Sequence, residues 1–258
     1  MRIEGYFEEN NRIAVAFSGG VDSAYLLYAV VKAGADVKAY CVRSAFQPDF
    51  EFDDAKSLAE RIGAEFEVIE VDVLSDEKVT ANPPDRCYYC KTRIMTSIKA
   101  AAAADGYEIV CDGTNASDDA SDRPGHKALE ELGIRSPLKE CGLTKTDIRI
   151  LSREAGLPTW NKPAYACLAT RVKTGEQITK EKLETTEEAE RRMMEMGFKD
   201  FRVRMRGRNA LVQIAEDQHY HALKRESGIK AALADLYERV EIDEVPRPRN
   251  IDLADLGL

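Results

Sequence analysis

The chain has 258 residues with 37 basic and 46 acidic side chains, a net charge of -9, 44% hydrophobic residues and six cysteines. That length makes one large domain or two small ones with a real core, and 32% charged residues with regularly spaced apolar segments exclude a disordered or low-complexity chain. No apolar run approaches the roughly 18 residues of a membrane span, and the opening MRIEGYFEENNRIAVAF lacks the basic, apolar and small-residue parts of an export signal. The expectation is a cytoplasmic protein with no membrane partner, whose cysteines are core residues, metal ligands or reactive thiols rather than disulfides. The acidic total argues against nucleic acid as a partner.

In chain order, residues 12–17 (RIAVAF) read as a buried strand, and 24–33 carry apolar residues at helical spacing up to Gly34. A second strand covers 37–42. Asp53 or Asp54 caps a helix that Gly63 stops, and 66–71 form a third strand. A helix from about Lys91 runs through the alanines 100–104 to Gly106, before a fourth strand at 107–111 (YEIVC). Strands separated by such helices need crossover connections, so the expected class is α/β, a doubly wound, mostly parallel sheet with helices on both faces. The string TKTD at 144–147 is a capping box opening a helix that ends near Gly156. Beyond 158–163 the pattern becomes helix 179–196, strands 201–206 and 210–215, helix 217–227 and strand 237–242. This is a smaller α+β unit, and a boundary near residue 172 gives domains 1–171 and 172–258.

The most specific local string is SGGVDS at 18–23, between the first strand and the first helix. Such a turn aims backbone N–H groups and a helix N-terminus at one spot, which suits phosphate, and its glycines allow close approach. The plainer alternative is a polar turn in which Asp22 or Ser23 caps the helix. Neither a Walker A string nor a G-x-G-x-x-G fingerprint is present. Cys87-Tyr88-Tyr89-Cys90 is a C-x2-C pair after a proline turn and leads into the helix at Lys91. It fits half a metal site, a redox dithiol or two buried cysteines. Cys167 is a third candidate, Cys41 and Cys111 sit on predicted buried strands, and Cys141 has no evident partner. The histidines His126, His219 and His221 show no ligand spacing to the cysteines and read as surface or loop residues.

The SGGVDS loop resembles the PP-loop of the ATP pyrophosphatases, which implies cleavage of ATP between the α and β phosphates with Mg2+ offsetting the charge. Over nearly its whole length the chain is similar to the LarE family of ATP-dependent sulfur transferases, which act in nickel-pincer nucleotide synthesis. The matching strings are AFSGGVDS (16–23), NPPDRCYYCK (82–91), DGTN (112–115) continuing to DRPG (122–125), SPL (136–138), KTDIR (145–149), NKPAYACLATR (161–171) and RVR (202–204). The resemblance implies adenylation of a carboxylate on a pyridinium mononucleotide, followed by capture of a sulfur and release of a thiocarboxylate. It also implies two kinds of member. In one, a single cysteine at the position of Cys167 gives up its own sulfur and becomes dehydroalanine. In the other, three cysteines, here Cys87, Cys90 and Cys167, hold a 4Fe-4S cluster. Three thiolates leave one iron open for an extra sulfide, and the cluster is the expectation here. A tRNA-thiolating PP-loop enzyme is the alternative from the same superfamily.

Arg202, Arg204, Arg206 and Arg208 recur at every second position of a predicted strand and so share a face, either as a solvated edge or as a grip for phosphate and carboxylate. By resemblance, Arg202, Arg204 and Arg123 bind substrate, while Ser18, Gly19, Gly20, Asp22, Ser23, Ser44, Gly113 and Thr114 bind ATP. Asp22, Asp119 and Glu190 fall where the family places carboxylates near metal and substrate, and they are the expected catalytic acids beside the three cysteines. Asp119 departs by one methylene from the expected glutamate, and VPRPRN at 245–250 departs from the family's glycine-rich turn. The expected partners are a small nucleotide substrate, an unidentified sulfur donor and, through the C-terminal domain, further copies of the chain.

Overall fold

After Arg12 the string IAVA offers only apolar side chains, and it lies in β1 (Arg12–Ala16), an interior strand of a parallel sheet. The order is β3-β2-β1-β4, with β2 at Asp36–Arg43, β3 at Glu65–Glu70 and β4 at Ile109–Cys111. The structure, a computed structural model, describes residues 2–118 and 124–249; Asp119 and Arg123, two expected site residues, lie outside the described residues.

Side chains alternate across a strand, so Ile13 and Val15 face one way and Ala14 and Ala16 the other. The first face packs with α1 (Ile3–Glu9), α2 (Val21–Lys32) and α3 (Asp49–Ile62), through Phe7, Leu26, Leu27 and Leu58 among others. Met95, Ile98 and Ala102 join the second core, where they belong to a long later helix, Arg86–Ala104. Each fully buried Leu or Ile contributes about 1.5–3 kcal/mol. Helices on both sides explain why these strands tolerate near-continuous apolar runs. The unforeseen α1 buries Ile3, Tyr6 and Phe7, one helical stripe.

The chain forms two compact units: residues 2–73 with 85–162, and residues 74–84 with 163–249. The segment 74–84, carrying α4 (Glu77–Thr80), belongs to the second because Ile178 N donates to Thr80 O at 2.8 Å, Gly175 N to Asn82 O at 2.8 Å and Asn82 Nδ2 to Lys173 O at 2.9 Å. The first unit continues with α5 (Arg86–Ala104), α6 (Pro124–Glu131), α7 (Pro137–Glu140) and α8 (Lys145–Glu154). In the second unit α9 (Lys180–Glu195), α10 (Glu216–Lys224) and α11 (Glu226–Leu233) accompany the sheet β5 (Phe201–Arg206), β6 (Asn209–Ile214) and β7 (Arg239–Ile242). β5 and β6 form an antiparallel hairpin; β7 pairs parallel to β6, so α10 and α11 supply the crossover. Phe201, Val203 and Met205 point into a core with Met193, Val212, Ile229 and Leu233. The residue 172 expected as a boundary falls inside this unit, since Arg204 Nη1 donates to Thr170 O at 2.7 Å and Arg171 pairs with Glu190.

The α/β class, with its parallel sheet and a smaller unit built on a mixed sheet, is as expected. Four local expectations need correction. α3 begins at Asp49 after Pro48, so Asp53 and Asp54 lie inside the helix rather than capping it. α5 begins at Arg86 rather than Lys91, so the C-x2-C pair is inside the helix. β4 begins at Ile109 rather than 107, because Tyr107 N donates to Ala102 O at 2.8 Å and closes α5 after Gly106, whose φ is +82°. The helix expected at 217–227 is two helices meeting at Arg225.

Candidate active site

In an open parallel sheet a ligand crevice forms beyond the carboxyl ends of the strands where the winding reverses. The chain winds outward from β1 to β2 to β3, then returns to β4 on the far side of β1. Residues 18–23 follow β1, Ser44 follows β2 and 112–115 follow β4, so three expected nucleotide segments leave the same ends of the sheet.

Gly19 has φ +71°, and a Cβ there would lie 2.7 Å from Ala55 Cβ, so both the backbone and α3 demand glycine. Gly20 caps α2 without a side-chain bond, leaving the first-turn N–H groups and the positive end of the helix for an anion. Ser23 Oγ donates to Gly20 O at 3.3 Å and lies 3.1 Å from Ser18 Oγ, which curls the loop. A Cβ on Gly113 would meet Ser23 N at 2.8 Å: the β4 loop touches the first turn of α2. Thr114 is buried and serves that loop, its Oγ1 donating at 2.6 Å to Asp112, which also accepts from Ser136 Oγ at 2.7 Å. Ser44 Oγ accepts from Phe46 N at 3.4 Å.

The Asp22 carboxylate is partly exposed and accepts from Asn115 Nδ2 at 3.3 Å and from Lys145 Nζ. Lys145 opens α8, whose start is set by the complete capping box of Thr144 and Asp147 that TKTD predicts. The predicted set missed Lys145 and Asn115; their signal was position, directly after a helix cap and directly after the β4 glycine turn. Loop amides, a helix N-terminus and a lysine can hold a polyphosphate, and Asp22 suits Mg2+.

Cys87 and Cys90 occupy the first turns of α5 at i and i+3, on one helix face; Cys87 is exposed, Cys90 half-buried, and Arg86 Nη2 donates to Cys87 Sγ at 3.7 Å. Buried Arg86 also lies over the Phe46 ring at 5.7 Å. Cys41 and Cys111 are fully buried in the sheet.

In the second unit, Cys167 is half-buried and caps a 3-10 turn, Leu168–Arg171. Arg171 and Glu190 are both about 1% exposed and form a fork, Nε to Oε1 at 2.7 Å and Nη2 to Oε2 at 3.0 Å. Glu190 also accepts from Tyr165 Oη and from Val203 N at 2.9 Å. Arg202 does not stand on an open cationic face. It is buried, donates to Phe201 O at 2.5 Å and to Ala164 O, and lies 5.2 Å from the Tyr165 ring centre. Burial, with Arg171 and Arg247 nearby, holds its guanidinium down to about 10. Arg204 Nε donates to Gln213 Oε1 at 2.5 Å, and Gln213 Nε2 to Asp243 at 2.8 Å. Arg206 and Arg208 are exposed, Arg208 pairing with Glu238 at 2.7 Å. His219, expected at the surface, is buried with Nε2 2.7 Å from Asp243 O.

The family model of the queuosine biosynthesis protein QueC matches residues 12–83, the stretch containing the loop. A pyridinium-3,5-bisthiocarboxylic acid mononucleotide synthase of Lactiplantibacillus plantarum is 38% identical over 207 residues, 80% of this chain and 75% of that protein. The chain belongs to the LarE family. This LarE-type chain is also 38% identical to an uncharacterised protein of Synechocystis sp., over 83% of its own length and 80% of the other. A tRNA-specific 2-thiouridylase MnmA of Fervidobacterium nodosum is 25% identical over 40% of this chain and 36% of that one. LarE-type chains are PP-loop ATP-dependent sulfur transferases, a family that uses ATP with Mg2+. Among the described residues no three His, Cys, Asp or Glu side chains gather closely enough to hold a metal ion, and no helix is long and apolar enough to cross a membrane. Cys87 and Cys90, on one face of an open helix start, offer the thiol donors that iron-sulfur centres take.

Proposed function

We propose that this LarE-type enzyme works in the cytoplasm, adenylates a carboxylate of a pyridinium mononucleotide and exchanges its activated oxygen for sulfur, with Cys87, Cys90 and Cys167 holding a 4Fe-4S cluster. The observation that carries the substrate class is the likeness to the Lactiplantibacillus synthase over most of both chains. The substrate carboxylate attacks the α phosphate of ATP and pyrophosphate leaves. The loop amides of 18–23 and Lys145 would hold the departing pyrophosphate, and Asp22 would hold Mg2+. A sulfur nucleophile then attacks the acyl carbon, AMP leaves, and a thiocarboxylate results. When bound, the cluster would supply sulfide at the iron that three thiolates leave open.

A second reading rests on Cys167 itself, half-buried at the start of a 3-10 turn in the second unit. In it the Cys167 sulfur attacks the acyl carbon and AMP leaves. Loss of the Cys167 Cα proton then breaks its Cβ–Sγ bond, giving the thiocarboxylate and dehydroalanine. Iron and sulfide analysis of protein purified without oxygen separates the two. The cluster reading predicts iron and sulfide in equal amount, and loss of sulfur transfer in Cys87→Ala. Metal-free protein that remains active while Cys167 turns into dehydroalanine would establish the second reading instead. A tRNA-thiolating role meets a net charge of -9 and an Arg202 buried under its own loop rather than displayed.

A further inference from the structure

We infer that the buried Arg171–Glu190 pair sets the backbone of Cys167, so that Glu190 and Arg171 are positioning residues for the sulfur-handling cysteine. The inference rests on the reading of Cys167 given above. All the carboxylate's surroundings point this way. Glu190 receives the Arg171 fork, the Tyr165 hydroxyl and the Val203 amide, a set that fills its acceptor sites and leaves it ill placed to hold a metal. A fully buried ion pair is a poor source of stability compared with apolar side chains of the same volume. Its use here needs another reason.

That reason is the third nitrogen of Arg171. With Nε and Nη2 clamped by Glu190, Nη1 donates to Ala166 O at 3.0 Å and to Thr170 Oγ1 at 2.8 Å, and lies 3.5 Å from Cys167 O. Thr170 passes the constraint on, its Oγ1 donating to Cys167 O at 2.8 Å and its N at 3.0 Å. The guanidinium also lies 4.7 Å from the Tyr165 ring centre. Both carbonyls flanking the Cys167 amide plane are thus tied to one rigid fork, while Leu168 and Ala169 are fully buried behind it. Cys167 itself is half-buried. Lysine at 171 would keep the charge but cannot bridge carboxylate and carbonyls together.

The test is peptide-resolved alkylation of the full-length protein with iodoacetamide, read alongside steady-state sulfur transfer. In Glu190→Gln and Arg171→Lys, Cys167 should react several-fold faster than in the parent, Cys87 in the other unit should not change, and kcat should fall about 10²-fold with KM for ATP unmoved. Arg208→Ala, which removes an exposed arginine of the turn between β5 and β6, should leave Cys167 at the parent rate. If Glu190→Gln does not fold, Thr170→Val removes only the hydroxyl relay and should raise the Cys167 rate in the same direction. A Cys167 rate equal to the parent's in these variants overturns the inference even if sulfur transfer is present. Absence of sulfur transfer in the parent would instead sink the functional reading and leave the alkylation result standing.

Discussion

The carboxylates of Asp22 and Glu190 differ in what surrounds them. Asp22 is 22% exposed and takes one lysine and one amide, so sites remain for a cation; Glu190 is 1% exposed and surrounded by donors of its own unit. A partly exposed pair contributes at most about 1 kcal/mol. Asp22→Asn should therefore change the melting temperature little while abolishing pyrophosphate release, measured by calorimetry and a pyrophosphate assay on the same preparation. A large loss of stability would show that Asp22 is a structural residue. Arg202 follows the logic of Glu190, since a guanidinium bonded to two carbonyls, with Asp200 no nearer than 3.9 Å, is held by backbone rather than by an opposing charge. Period-two spacing correctly put the β5 arginines on one face. Spacing cannot say what covers that face, and here it is the 163–170 loop of the same unit.

At the scale of elements, the strand-loop-helix unit around 12–32 was legible because its signals are local: an apolar run, two glycines and a helical stripe. The capping box before α8 was legible for the same reason. The start of α5 was not, because Pro83 and Pro84 mark a turn and the polar string after them hides the first helical turn. α11 was hidden by Ser227 and Gly228, poor helix formers that the second core holds in place through Ile229 and Leu233. The Arg171–Glu190 pair joins residues nineteen apart across separate elements, and no local pattern announces it. Glycine substitutions test the loop geometry. Gly34→Ala has left-handed φ +74° and open space, so it should cost about 1 kcal/mol. Gly19→Ala adds a 2.7 Å approach to Ala55 and should cost clearly more, about 2–4 kcal/mol, read from denaturant melts. Equal costs at the two positions would contradict the close packing of the loop on α3.

For the whole molecule, the six cysteines divide by environment into buried and accessible thiols. Burial pushes the Cys41 thiol up to about 11 and the Cys111 thiol up to about 12. Such thiols stay protonated longer in the folded chain than in the unfolded one, so their contribution to stability is present below the unfolded value of about 8.5 and is lost as pH rises through the folded values. Burial raises Tyr25 and Tyr107 to about 12 in the same sense. Denaturant melts should show stability declining from about pH 9 upward, and Cys41 and Cys111 should resist alkylation in native protein at neutral pH while Cys87 reacts. Stability constant across that range would contradict the burial of these groups. The acidic total of -9 leaves room for a small anionic nucleotide because charge is distributed locally: Lys145 stands beside the 18–23 loop in the first unit. The most direct test of an ATP-dependent sulfur transfer is mass spectrometry of a pyridinium dicarboxylate mononucleotide incubated with anaerobically purified protein and Mg-ATP. The predicted result is replacement of a carboxylate oxygen by sulfur, with AMP and pyrophosphate released in step; an unchanged mononucleotide beside intact ATP would contradict it.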